Sequence, residues 1–105
     1  MTAQVRFIDA ISEGLRTAMD ADDAVVIIGE DVTFGGPFGA TKGLVEEFGS
    51  GRVRDTPISE ATVMGVAIGA ALSGLRPVVE IMFIDFITLA MDQLVNHAAK
   101  FHFMT

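Results

Sequence analysis

Five apolar residues in a row, Ala24-Val25-Val26-Ile27-Ile28, lie between Asp22-Asp23 and Gly29-Glu30-Asp31. The run is rich in β-branched side chains and short, which favours a strand over a helix. An unbroken apolar strand has both faces covered, the condition of a strand inside a parallel sheet, and parallel strands need crossover connections between them. The flanking sequence supplies those crossovers. Residues 4–19 place Val5, Ile8, Ile11, Leu15, Ala18 and Met19 at spacings of three and four with charged residues between, as an amphipathic helix requires. The glycine-rich segment 32–40 reads as a loop, and 41–49 as a short helix stopped by Gly49. Residues 52–57 read as a brief strand broken at Pro57, 60–73 as a helix, 76–83 as a second buried strand, and 85–103 as a long final helix. The order α-β-α-β-α-β-α predicts an α/β fold: a mainly parallel sheet with helices on both faces.

Composition narrows the function. With 105 residues the chain makes one domain. Its 14 acidic against 7 basic residues, net charge -7, and the lack of a basic cluster argue against a nucleic-acid partner. The longest apolar run, Val63 to Leu72, holds two glycines and falls well short of the roughly 20 residues of a membrane helix. Without cysteine there is neither a disulfide nor a thiolate metal site. The first residues have neither a secretory nor a transit composition, so a cytoplasmic location is expected. The chain stops in mid-pattern, with Phe101, Phe103 and Met104 still requiring burial, which reads as the N-terminal piece of something longer.

In open α/β sheets ligands bind beyond the carboxyl ends of the strands, here Gly29 to Asp31, Asp55 to Glu60, and Met82 to Phe86. The glycine-rich loop lacks the spacing of either a phosphate loop or a dinucleotide fingerprint. It is either a plain surface loop or one that closes over a neighbouring site or subunit. His97 and His102 are five apart, about 140 degrees around a helix, and do not form a metal pair. Glu30 and Asp31 resemble the acidic corner of a phosphoryl-accepting receiver domain, but polar residues in a strand-end turn explain them as well. Glu60 heads a segment of small and apolar side chains, where an ionised carboxylate is seldom buried without a partner. An acid in a helix's first turn complements the macrodipole. A capping box starting at Thr56 is one residue too long. Behind Glu60, Ala61, Gly65, Gly69 and Ser73 line one helix face, and each interior glycine costs roughly 1 kcal/mol relative to alanine. Such a face suits another backbone coming very close, from a neighbouring helix or a partner subunit. Glu60 would then border a water-poor junction, where burial raises a carboxyl pKa and favours sharing a proton with a ligand nitrogen.

Five segments together carry a resemblance: "GED" at 29–31, "TKGL" at 41–44, "RVRDTPISE" at 52–60, "GVAIGAALSGLRPVVEIMFIDF" at 65–86 and "DQLVNHAAKFHFM" at 92–104. In order and over essentially the whole chain, they resemble the start of the beta subunit of the thiamine-diphosphate-dependent component of 2-oxo acid dehydrogenase complexes, and of the related acetoin dehydrogenases. The resemblance implies a transketolase-like pyrimidine-binding domain, incomplete here: residues 1–105 would be its N-terminal portion, followed by the rest of that domain and a C-terminal domain. It also implies roles. Glu60, Gly65, Val66 and Gly69 match the motif in which the Glu bonds N1' of the cofactor's aminopyrimidine, promoting the tautomer that yields the ylide, decarboxylation and acyl transfer to lipoamide. Phe86 matches the aromatic residue packed on the pyrimidine, Met82 an apolar residue beside it, and Ile58 a lining residue; Gly65 and Gly69 match the subunit contact. The implied partners are an alpha subunit holding the diphosphate and its magnesium, in an alpha2beta2 heterotetramer, and a lipoyl acyltransferase core. The implied substrate is a 2-oxo acid, pyruvate among them, or acetoin. Two rival readings are a transketolase-like or deoxyxylulose-phosphate-synthase-like enzyme, and a non-catalytic α/β regulatory domain.

Overall fold

The computed structural model describes residues 4–104. Its centre is the apolar run of the sequence: β1, Val25–Gly29, is buried at every position. β2, Val53–Asp55, and β3, Arg76–Glu80, flank it, both parallel to it, giving the order β2-β1-β3. Gly29 is in register with Asp55 on one side and Glu80 on the other. All three strands therefore end at one edge, with Glu30 in the middle of it.

The period-two alternation of β1 divides the core. Val25 and Ile27 point to one face, where they pack with Met19, Val32, Leu44 and Val53. That face is covered by α1, Phe7–Ala21, and α2, Leu44–Phe48. Val26 and Ile28 point to the other face, against Val63 and Ala67 of α3, Glu60–Leu72. Helices thus cover both faces of a parallel sheet, as the sequence pattern requires. Arg52 ties the first face together: its guanidinium donates to the carbonyls of Met19 (2.8 Å), Asp22 (2.8 Å) and Val25 (3.1 Å), and lies 5.0 Å from the centre of the Phe48 ring.

Three expectations need correction. Residues 76–83 were expected as a buried strand, but β3 ends at Glu80, sits at the edge of the sheet and is only half-covered. An apolar run does not distinguish a central strand from an edge strand whose open flank awaits a neighbour. The expected continuous helix over 85–103 is segmented into a 3-10 turn at Ile84–Phe86, α4 at Ile87–Asp92, a π-helical stretch at Gln93–Ala98, a turn, and α5 at Phe101–Met104. Apolar spacing over six residues cannot separate a 3.6-residue turn from a wider one. In the π stretch the Ala99 amide reaches back to the Leu94 carbonyl, 3.0 Å, and His97 Nδ1 pairs with Gln93 Oε1. Finally, α1 starts at Phe7 rather than residue 4, and of its apolar stripe only Met19 is fully buried. Among the described residues, no helix is long and apolar enough to cross a membrane.

Candidate active site

Each strand delivers one group to the shared carboxyl edge. After β1, Asp31 adopts a left-handed conformation, φ 55°, which turns the chain sharply out of the sheet and leaves Glu30 inside. An aspartate tolerates this conformation better than most residues. The turn is fastened by amides of Phe34 and Gly36 on the Asp31 carbonyl, both 3.0 Å, and by Thr33, whose amide (2.9 Å) and hydroxyl both donate to the Asp55 carboxylate at the end of β2.

Beyond β2 the chain runs to α3. Its N-cap is Ser59, so Thr56 lies outside the helix and Glu60 is its first residue. The Ser59 hydroxyl is engaged with the Thr62 hydroxyl, 2.8 Å, rather than with a backbone amide, so no side chain caps the helix and the acid beside its positive end is Glu60.

Glu30 is the residue that the sequence left undecided. It is only 9% exposed, and no hydrogen bond or cation reaches its carboxyl among the described residues. Burial pushes its pKa up, and the negative charges of Glu60 and then Asp31 push it the same way. Glu30 and Glu60 are thus electrostatic neighbours, which two acids separated by thirty residues do not reveal before the sheet is assembled. The sequence signal that locates Glu30 is its place just past the carboxyl end of an all-apolar strand.

β3 contributes Glu80, raised above the ordinary carboxyl range by burial, with Oε2 lacking any partner. The Thr56 hydroxyl at the end of β2 is likewise buried without a partner. Past Glu80, Met82 is half-buried and Phe86 is 41% exposed. Phe86 stacks edge-on against Phe83, which stacks edge-on against Phe38 of the glycine-rich loop. Ile58 is 81% exposed.

The two glycines of the α3 motif differ. A β-carbon at Gly65 would lie 3.4 Å from the Gln93 side chain, so that position is already used to bring α3 against the π-helical stretch. Gly69 is exposed, and a β-carbon there would meet no neighbouring element within 4 Å among the described residues. His97 and His102 both line a cleft of about 590 Å³ with Ile68, Leu72 and Phe101, away from the acid edge. No group of three or more potential metal ligands gathers among the described residues.

A parallel sheet that gathers unpartnered carboxyl groups and exposed rings at its carboxyl edge defines an α/β ligand-binding domain. The chain belongs to the transketolase pyrimidine-binding domain family, whose description, "Transketolase, pyrimidine binding domain", matches residues 3–105. It is 48% identical, over 99% of its length, to the acetoin:2,6-dichlorophenolindophenol oxidoreductase subunit beta of Bacillus subtilis (strain 168). It is 50% identical, over 97% of its length, to the mitochondrial 2-oxoisovalerate dehydrogenase subunit beta of Chaetomium thermophilum. The pyruvate dehydrogenase E1 component subunit beta of Staurastrum punctulatum is 45% identical over 96% of the chain. The chain spans 34%, 22% and 31% of the lengths of these relatives, respectively.

An aminopyrimidine fits this donor set. It presents a basic ring nitrogen and amino hydrogens to acids that have no cation, and a flat face to an aromatic ring. Glu30, Glu60 and the Thr56 hydroxyl, which has no partner among the described residues, are the polar groups that would face such a ring, and Phe86 is an exposed aromatic side chain that could stack on it.

Proposed function

We propose that this chain is the N-terminal part of the beta subunit of a thiamine-diphosphate-dependent 2-oxo acid or acetoin dehydrogenase, and that Glu60 is the carboxyl that shares a proton with the N1' nitrogen of the cofactor's aminopyrimidine. The observation that carries this reading is the pairing of Glu60 with the buried, proton-favouring Glu30 at the ligand edge of the sheet. Family membership and the dehydrogenase and oxidoreductase beta subunits among its relatives support the reaction class.

Thiamine diphosphate, when bound, would supply a nucleophilic carbon that adds to the ketone of a 2-oxo acid or of acetoin and takes up the electron pair of the C–C bond that breaks, with carbon dioxide or acetaldehyde leaving. The chain's own residues act on the far ring. Glu60, at the start of α3, holds a proton at the ring nitrogen. Glu30, by favouring its own protonated form, keeps a second negative charge away from Glu60. Phe86 and Met82 restrict the ring to one plane, and Ile58 is covered once the site is assembled. An alpha subunit, in an alpha2beta2 heterotetramer, brings the diphosphate and its magnesium, and approaches along the open Gly69 face of α3. The acyl unit leaves to a lipoyl acyltransferase, and the assembly works in the cytoplasm. The remainder of the pyrimidine-binding domain and a C-terminal domain complete the beta chain.

Calorimetry tests the assignment. Thiamine diphosphate with magnesium should bind the mixture of full-length beta chain and alpha subunit but neither alone. Glu60→Gln should weaken that binding at least about tenfold, the value of a hydrogen bond involving a charged group. Wild-type affinity in the variant overturns the role given to Glu60.

A further inference from the structure

We infer that Phe38, on the glycine-rich loop, is a positioning residue that fixes the plane of Phe86 by acting through Phe83. The inference rests on the pyrimidine-pocket reading above and extends it to a part of the chain that the family motif does not include.

The three rings form a continuous row. Phe38 and Phe83 meet with centroids 5.7 Å apart and planes at 88°, and Phe83 and Phe86 at 5.9 Å and 87°. Both are edge-to-face contacts, the geometry in which the positive rim of one ring meets the negative face of the next. Phe83 and Phe86 meet because a 3-10 turn joins them: the Phe86 amide bonds the Phe83 carbonyl at 3.0 Å, and residues three apart eclipse in such a turn.

Phe38 reaches this row because its loop is built, not free. At one end the Gly36 amide bonds the Asp31 carbonyl, 3.0 Å; at the other Thr41 is buried, with its hydroxyl on the Val32 carbonyl, 2.7 Å, and its amide on the Gly35 carbonyl, 3.2 Å. Between them the backbone lies directly on the end of β3. A β-carbon at Gly36 would fall 2.5 and 2.7 Å from the two Glu80 carboxyl oxygens, and φ there is 71°, a conformation that favours glycine. Pro37 then limits the backbone leading into Phe38. Phe38, 60% exposed, is held against Phe83 rather than left in solvent at random. With its ring edge fixed from one side, Phe86 presents a defined face on the other.

The test is cofactor binding by calorimetry in the full-length beta chain assembled with its alpha subunit. Phe38→Leu keeps apolar volume but removes the ring edge; it should weaken thiamine diphosphate binding by about two- to tenfold, the worth of one aromatic contact. Phe38→Tyr should restore wild-type affinity. Inorganic diphosphate, which lacks the pyrimidine, should bind all three proteins alike. In a Phe83→Leu background the Phe38→Leu change should have no further effect, because the row is already cut. Unchanged thiamine diphosphate affinity in Phe38→Leu, an equal loss for inorganic diphosphate, or additivity with Phe83→Leu overturns the inference. Phe86→Ala separates the two levels. If it weakens thiamine diphosphate binding while Phe38→Leu does not, the positioning role alone falls. If Phe86→Ala also binds normally, the pocket reading falls and the positioning role with it.

Discussion

Glu30, at the carboxyl end of β1, is a buried acid whose largest charge influence comes from another acid, Glu60, at the first turn of α3. Such a pair is stable in a folded protein only if one member keeps its proton or a ligand supplies a base. Sheet register creates the arrangement. Glu30 follows Gly29, which is flanked by Asp55 and Glu80, so the acid stands at the middle of the sheet's carboxyl edge.

The sign of the pH dependence follows. Burial, Glu60 and Asp31 raise the folded-state pKa of Glu30 above the ordinary value of 4.5. Folding therefore favours the protonated form, and the contribution is full below the ordinary value and lost as pH rises through the raised one. Glu30→Gln removes this loss. Between pH 4 and pH 8, the cofactor-free wild-type protein should lose stability relative to Glu30→Gln by about 1.4 kcal/mol for each unit of the upward shift. Urea unfolding of both proteins across that range is the check, and parallel curves would show that Glu30 titrates normally.

Arg52 gives a sharper stability test. Its guanidinium binds three backbone carbonyls, two of them at the end of α1 and in the turn that follows, and the third on β1. Arg52→Met removes the guanidinium from these carbonyls, of which Asp22 keeps another donor, the Val25 amide, and should cost about 2–4 kcal/mol. Arg52→Lys should recover only part, since it keeps one donor nitrogen but loses the Nε bond to the Val25 carbonyl and the flat face over Phe48. Denaturant midpoints of the three proteins decide.

Gly36 couples the loop to β3. Gly36→Ala forces a methyl onto the Glu80 carboxyl and a side chain into positive φ, a cost of about 1–3 kcal/mol. Repeating the change in a Glu80→Ala background should recover the part due to the clash and leave the part due to φ. Melting midpoints of the two single variants and the double variant measure the split; strict additivity would mean that loop and carboxyl do not touch.

Much of this fold can be read in the chain because its central strand is apolar at every residue and its crossovers have clear periods. Glu60, Gly65 and Gly69 stand out locally, as an acid and two glycines in an otherwise apolar helix. Glu30 and Phe38 do not. The acid matters because β1 is central and Asp31 turns away from it, and Phe38 matters because Gly36 lies on Glu80; both are relations across the sheet that no local pattern encodes. The segmentation after Phe86 was hidden for a different reason, since wide and ordinary helical turns place apolar residues alike over so short a length.

The two motif glycines should separate fold from assembly. At Gly65 any side chain meets Gln93, and Gly65→Leu should disturb the packing of α3 on the π-helical stretch, lowering the melting midpoint of the beta chain by itself. A β-carbon at Gly69 would meet no neighbouring element within 4 Å among the described residues, so Gly69→Ala should raise the stability of the isolated chain by up to about 1 kcal/mol through helix propensity alone. If the alpha subunit closes on that face, Gly69→Leu should keep the fold and lose the complex, because a close backbone approach tolerates no branched side chain. Sedimentation of mixed subunits together with melting of the separate beta chain reads both effects. A Gly69→Leu chain that still assembles normally would place the subunit contact on another face of the domain.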